Sequence, residues 1–171
     1  MQQTFPFVGY YAVDVTPGLR LLALDSVLFS NKVRGQALRY AAERELNWLH
    51  QQLLLARQQQ QRVLIAMHIP PGKDLYLFSS IKLFRMLDLW QVQYEKRFNS
   101  ELSEFAPQIA GILTGHLHMD SLHTLLKRDV KINAISVPAL SPIFGTQPAF
   151  SVLFYSSPNY QFTDRELFTI H

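Results

Sequence analysis

The chain has 171 residues, 48% hydrophobic and 17% charged; that length suits one globular domain, and the apolar share excludes wholesale disorder. It contains no cysteine, which excludes disulfide frameworks, thiolate metal sites and a cysteine nucleophile. The net charge of +3 is mild and predicts no nucleic-acid surface, and no apolar run approaches the roughly 18 residues of a transmembrane segment. Met1 to Pro6 carries neither the basic region nor the apolar stretch of a signal peptide.

Tyr10–Val15 and Leu19–Leu24 read as two strands of a hairpin, because Thr16-Pro17-Gly18 between them is a turn signal. Ala42, Leu46, Leu49 and Leu53 then recur at spacings of three and four, with Glu43, Arg44, Glu45 and Gln52 between them. This predicts an amphipathic helix lying on a sheet and ending near Gln58–Gln61. Val63–Met67 is a short continuous apolar run, the mark of a strand buried on both faces. It stops at His68-Ile69-Pro70-Pro71-Gly72, where two prolines end any regular element.

A second helix is expected from Ser79 or Ser80, with Leu83, Leu87, Trp90, Tyr94 and Phe98 as its apolar stripe, continuing through Leu102 and Phe105 to Pro107. Ile109–Thr114 is the next strand and ends at Gly115-His116-Leu117-His118. The remainder is strand-rich: Leu122–Leu126, Lys131–Val137, Phe150–Tyr155 and a run near Leu167–Ile170. Lys127-Arg128 reads as a turn. The order of elements predicts an α/β fold with a mixed sheet and flanking helices.

Of the six histidines, three fall where predicted strands end: His68 after one, His116 and His118 after another. Ligands of open α/β sheets bind at the carboxyl ends of strands, and neutral imidazole is the commonest ligand for zinc and other transition metals. If strand geometry persists, His116 and His118 share a face, and Gly115 lets backbone approach a ligand closely or take a positive φ. His50, mid-helix, and His171, terminal, are expected to be solvated, and His123 to be either a supporting neighbour of the site or, on the plainer reading, an ordinary strand residue. Lys73 and Phe144 are candidate substrate-binding residues beside this site, against the plainer reading of Lys73-Asp74 as a solvated loop pair. Tyr76 and Phe78 could line a hydrophobic wall, whereas Trp90 and Phe98 read as core.

Gly115-His116-Leu117-His118 resembles the Gly-His-x-His motif of calcineurin-like metallophosphoesterases, and Met67-His68-Ile69-Pro70-Pro71-Gly72 resembles their upstream single-histidine motif. The Pro-Pro-Gly form looks most like the acid sphingomyelinase-like phosphodiesterase branch. Gly9-Tyr10-Tyr11 with Leu19–Asp25, and Pro138–Gly145 with Pro148-Ala149-Phe150, are similar to that branch too. The resemblance implies half of a four-layer α/β/β/α sandwich, residues 1–171 forming the C-terminal part of the domain. It implies that His68 and His116 bind one metal and His118 the other, in a two-metal centre (Zn, Mn or Fe) that hydrolyses phosphodiesters or phosphomonoesters through metal-bound hydroxide. The family's first half supplies Asp-x-His, Gly-Asp and Asn-His ligands, and none of these pairs occurs in this sequence.

The bridging carboxylate of such a centre holds two cations against their mutual repulsion, and three neutral imidazoles lack that charge. At most one weakly bound metal, and no full turnover, is therefore expected of residues 1–171 alone. Expected partners are a phosphate-ester substrate, the other half of the domain, and a second copy covering an exposed apolar face. The alternatives are a non-catalytic module that binds a protein partner, and a structural zinc domain, for which four ligands are wanted and three can be named.

Overall fold

A computed structural model describes residues 9–74, 87–127, 129–142 and 145–170. The readings made at Tyr76, Phe78, Ser79, Ser80, Leu83, Phe144 and His171 lie outside the described residues.

A six-stranded mixed sheet is the centre of the molecule. Strands β1 (Tyr11–Thr16) and β2 (Leu19–Leu24) form the expected hairpin. Helix α1 (Gln36–Gln58) then leads to β3 (Arg62–Met67), and helix α2 (Val92–Glu104) leads to β6 (Ile109–Thr114). Strands β7 (Ser121–Lys127) and β8 (Val130–Ser136) follow. The sheet order is β1-β2-β3-β6-β8-β7, with β2, β3, β6 and β8 parallel and both edges antiparallel. Successive parallel strands are added in one direction, and right-handed crossovers then place both helices on the same face. Leu46, Leu49 and Leu53 of α1 and Phe98 and Leu102 of α2 bury there against Leu22, Val63, Ile65 and Ile112.

The other face is covered differently. Strands β9 (Ala149–Tyr155) and β10 (Phe162–Thr169) form a separate antiparallel hairpin. The Phe162 ring rests where a Gly111 side chain would be, so Gly111 is required by close approach, not by its φ. Tyr160 Oη donates to the Pro17 carbonyl at 2.6 Å and ties the hairpin tip to the β1–β2 turn. The outer surface of the hairpin leaves Phe150, Val152, Phe154 and Phe168 exposed, with the Phe150 and Phe168 rings stacked at 5.1 Å.

Two expectations need correction. Strand β3 is not buried on both faces: Val63, Ile65 and Met67 are buried, but Leu64 and Ala66 are only half-buried, because the hairpin covers that side incompletely. The apolar stripe running back from Phe98 is not one helix. Leu87–Asp88 is a short strand, β5, paired with β4 (Lys73–Asp74), and Trp90 precedes the helix, bridging to Ser30. Those residues have an apolar spacing that fits a helix, but tertiary pairing to the Pro-Pro-Gly loop overrides it.

An alanine methyl at Gly111 would overlap the Phe162 ring. Gly111→Ala should lower unfolding stability by about 1–3 kcal/mol through overpacking, measured by urea denaturation; wild-type stability would show that the hairpin does not sit there.

Candidate metal centre

The parallel strands deliver their carboxyl ends side by side. Leu24 pairs with Met67, and Met67 with Thr114, so Asp25, His68 and Gly115 emerge in a row. Gly115 N–H donates to the His68 carbonyl at 2.9 Å, one step past the strand ends. A Cβ on Gly115 would stand 3.1 Å from His68 Nδ1. The glycine is there to let one histidine loop lie against the imidazole of the other.

The His68 loop is fixed from beneath. Buried Ser26 accepts the Ile69 N–H at 2.7 Å, and Trp90, also buried, donates its indole N–H to the Ile69 carbonyl at 3.0 Å. Trp90 is core, as expected, and also pins the residue next to His68.

Strand geometry does not persist through Gly115–His118, which corrects the expectation of a shared strand face. His116 has φ 68° and His118 φ 55°, left-handed conformations that cost on the order of 1–3 kcal/mol each in non-glycine residues. Leu117 N–H bonds the Gly115 carbonyl at 2.7 Å around His116, a three-residue turn of the rarer, strained hand. Its result is convergence: His116 Nδ1 stands 3.4 Å from His68 Nε2, with ring centroids 5.2 Å apart and planes at 81°. Two imidazole nitrogens ligating one tetrahedral zinc at about 2.0–2.1 Å would be about 3.3–3.4 Å apart. The pair therefore fits a divalent transition metal, and without one the same spacing admits an N–H···N hydrogen bond. His118 does not join them in a cluster with all ligand atoms within 4.8 Å of one another.

No protein-family model matches the chain. Sphingomyelinase phosphodiesterase D of Dictyostelium discoideum is 25% identical over 171 residues, 94% of this chain and 36% of that protein. Cyclic GMP-AMP phosphodiesterase SMPDL3A of Homo sapiens is 28% identical over 139 residues, 79% of this chain and 29% of that protein. Sphingomyelin phosphodiesterase of Bos taurus is 26% identical over 156 residues, 88% of this chain and 22% of that protein. The chain is a distant homologue of acid sphingomyelinase-like phosphodiesterases. It spans about a third or less of the length of these relatives. The crystal structure of a dimetal phosphatase from Danio rerio shares the fold, with a TM-score of 0.52 and 15% identity over 77% of this chain and 49% of that one.

The remaining candidates in this phosphodiesterase homologue are placed as follows. Lys73 is exposed, and its ammonium lies 3.8 Å from Asp88 Oδ1 across the β4–β5 pair. His123 is exposed on β7, 3.3 Å from Ser121 Oγ. His50 is not freely solvated as expected: it is half-buried, with Nδ1 2.9 Å from Glu101 Oε2. The α1–α2 packing brings it there, against the Phe105 ring. His50, Glu101 and Glu104 offer ligand-type atoms within 4.8 Å of one another. The Arg57 guanidinium at 3.9 Å from Glu104 makes this an inter-helix ion-pair network.

Sequence reasoning missed Glu45. It lies among the polar residues between the apolar ones of α1, yet it is fully buried, and Oε1 accepts the Asp25 N–H at 2.7 Å while Oε2 has no hydrogen-bond partner among the described residues. The signal was its spacing, three after Ala42 and four before Leu49, which puts it on the inward face. Burial pushes Glu45 up to about 8, with neighbouring Asp25 adding to the rise and its N–H opposing it. Asp25 is raised too, first by burial, with the Val27 N–H opposing. Asp25 follows β2 in the same row as His68, and the Glu45 carboxyl reaches Asp25 from α1.

Because Glu45 holds its proton in the folded state above the pH where an unfolded chain releases it, its stability contribution is full below about pH 4.5 and falls as pH rises toward 8. Relative to Glu45→Gln, the wild type should lose up to about 1.4 kcal/mol of stability per pH unit across that window. Urea titrations at several pH values check this; parallel pH profiles would refute it.

Proposed function

We propose that this chain carries the second-part metal ligands of a metal-dependent phosphoesterase, His68 and His116 serving one divalent ion and His118 another. The observation that carries this reading is the 3.4 Å convergence of His68 Nε2 and His116 Nδ1 at the carboxyl edge of a parallel sheet, in a chain homologous to phosphodiesterases. Divalent ions in such a site lower the pKa of water and neutralise phosphoryl oxygens.

The chain's own residues do the positioning. Ser26 and Trp90 fix the His68 backbone, Gly115 lets the second loop approach, and the turn around His116 aims its Nδ1 inward. The relatives named for cleaving sphingomyelin and cyclic GMP-AMP act on phosphodiesters, and we assign the same ester class here. Three imidazoles bring no negative charge to hold two cations together. Residues 1–171 thus bind at most one ion weakly, and turnover requires carboxylate ligands from the other part of the domain.

A second reading is a non-catalytic module that docks a protein partner or a second copy. The exposed row of Phe150, Val152, Phe154 and Phe168 favours it. Metal titration separates the two, because this reading requires no ion at His68 and His116.

Isothermal titration with Zn²⁺ or Mn²⁺ should show weak binding of one ion by the wild type, lost in His116→Ala and in His68→Ala. Unchanged affinity in both variants would overturn the assignment. Robust hydrolysis of bis(p-nitrophenyl) phosphate by residues 1–171 with added Mn²⁺ would overturn the requirement for further ligands.

A further inference from the structure

The loop that carries His116 and His118 is tied to the C-terminal hairpin through Asp120. Arg165 of β10 donates from Nη1 to Asp120 Oδ1 at 2.9 Å. Ser151 Oγ of β9 donates to the same oxygen at 3.5 Å. Asp120 is the last loop residue before β7, and its side chain is 17% exposed against 28% for Arg165. A charge pair this far out of water is screened less than a surface one.

The loop needs such an anchor. Within six residues it holds two non-glycine residues at positive φ, a conformation that persists only when the surroundings fix it. Its start is fixed by the Gly115–His68 backbone bond, and its middle by Leu117 against the core. The Asp120 contacts fix its end. Released there, the backbone around His118 would relax toward the commoner right-handed region, and the imidazoles would turn away from their present directions.

We propose that the Asp120–Arg165 pair is a positioning clamp, through which the β9–β10 hairpin holds His116 and His118 in their ligating pose. The proposal rests on the metal reading given above. Neither residue is a ligand or a catalytic residue; both act through the loop. The hairpin then has a function besides covering the sheet, since its seating on Gly111 and its grip on Asp120 set the same loop.

The test is Zn²⁺ titration of the full chain as wild type, Arg165→Met, Arg165→Lys, Asp120→Asn and Tyr160→Phe. Tyr160→Phe loosens the same hairpin at its far tip by deleting the bond to Pro17, and so controls for general stability. Arg165→Met and Asp120→Asn should weaken zinc binding about tenfold or more, the scale of outer-sphere partners. Arg165→Lys should recover most of it, and Tyr160→Phe should lower the urea midpoint without changing affinity. Wild-type affinity in Arg165→Met, or an equal loss in Tyr160→Phe, would overturn the clamp. A wild type that binds no zinc would sink the metal reading instead. The clamp is then judged on imidazole ¹H–¹⁵N spectra: displaced His116 and His118 resonances in Arg165→Met uphold it, and unmoved ones overturn it.

Discussion

The hydrogen bond from Gly115 N–H to the His68 carbonyl extends the β3–β6 ladder one step past the ends of both strands. The rest of the site depends on that step. It brings the two histidine loops to ladder spacing, and at that spacing any residue larger than glycine at position 115 would press on the His68 ring. The chain then turns left-handed twice, which points Nδ1 of His116 back at Nε2 of His68. A strand continuing in its own direction would have carried His116 and His118 away along the sheet. The strained turn is thus the means by which a parallel edge, which naturally splays its loops, is made to converge two nitrogens.

Convergence at a sheet edge requires rigid support, and the support here is polar and buried. Ser26 and Trp90 hold the residue after His68, while Glu45 holds the residue after β2. The Glu45 carboxyl is fully buried with one oxygen unpaired among the described residues, an arrangement costly for a carboxylate and much less so for the neutral acid. Burial therefore keeps Glu45 protonated near neutrality. Asp25 beside it is less deeply buried, and its carboxyl accepts the Val27 N–H, which opposes the upward push of burial.

The fold was largely legible in the sequence, because it rests on periodicities that packing reinforces. Ala42, Leu46, Leu49 and Leu53 mark α1, and the apolar runs at Val63–Met67 and Ile109–Thr114 mark two central strands. Legibility failed where tertiary pairing overrode a local pattern. Leu87 and Trp90 fit a helical spacing with Tyr94 and Phe98, but the chain there is stitched to the Pro-Pro-Gly loop through Leu89 N–H and the Gly72 carbonyl. The histidines stand out in the sequence but their geometry does not, since nothing in Gly-His-Leu-His reveals two positive φ angles. Asp120 and Arg165 were illegible altogether: they lie on separate elements, and only the hairpin's seating on Gly111 brings them together.

The converged pair gathers lone pairs, but no charge, at one edge of the sheet. Two lone pairs aimed at one point attract a cation but supply no charge to offset it, and a second cation nearby would be repelled without a carboxylate between them. The one acid fully buried at these strand ends, Glu45, is kept neutral by its burial, and Asp120 is already engaged by Arg165. Glu45 and Asp120 thus hold backbone and loop in place. On the proposed metal reading, these two carboxyls serve the scaffold and are not the ones that would bind metal.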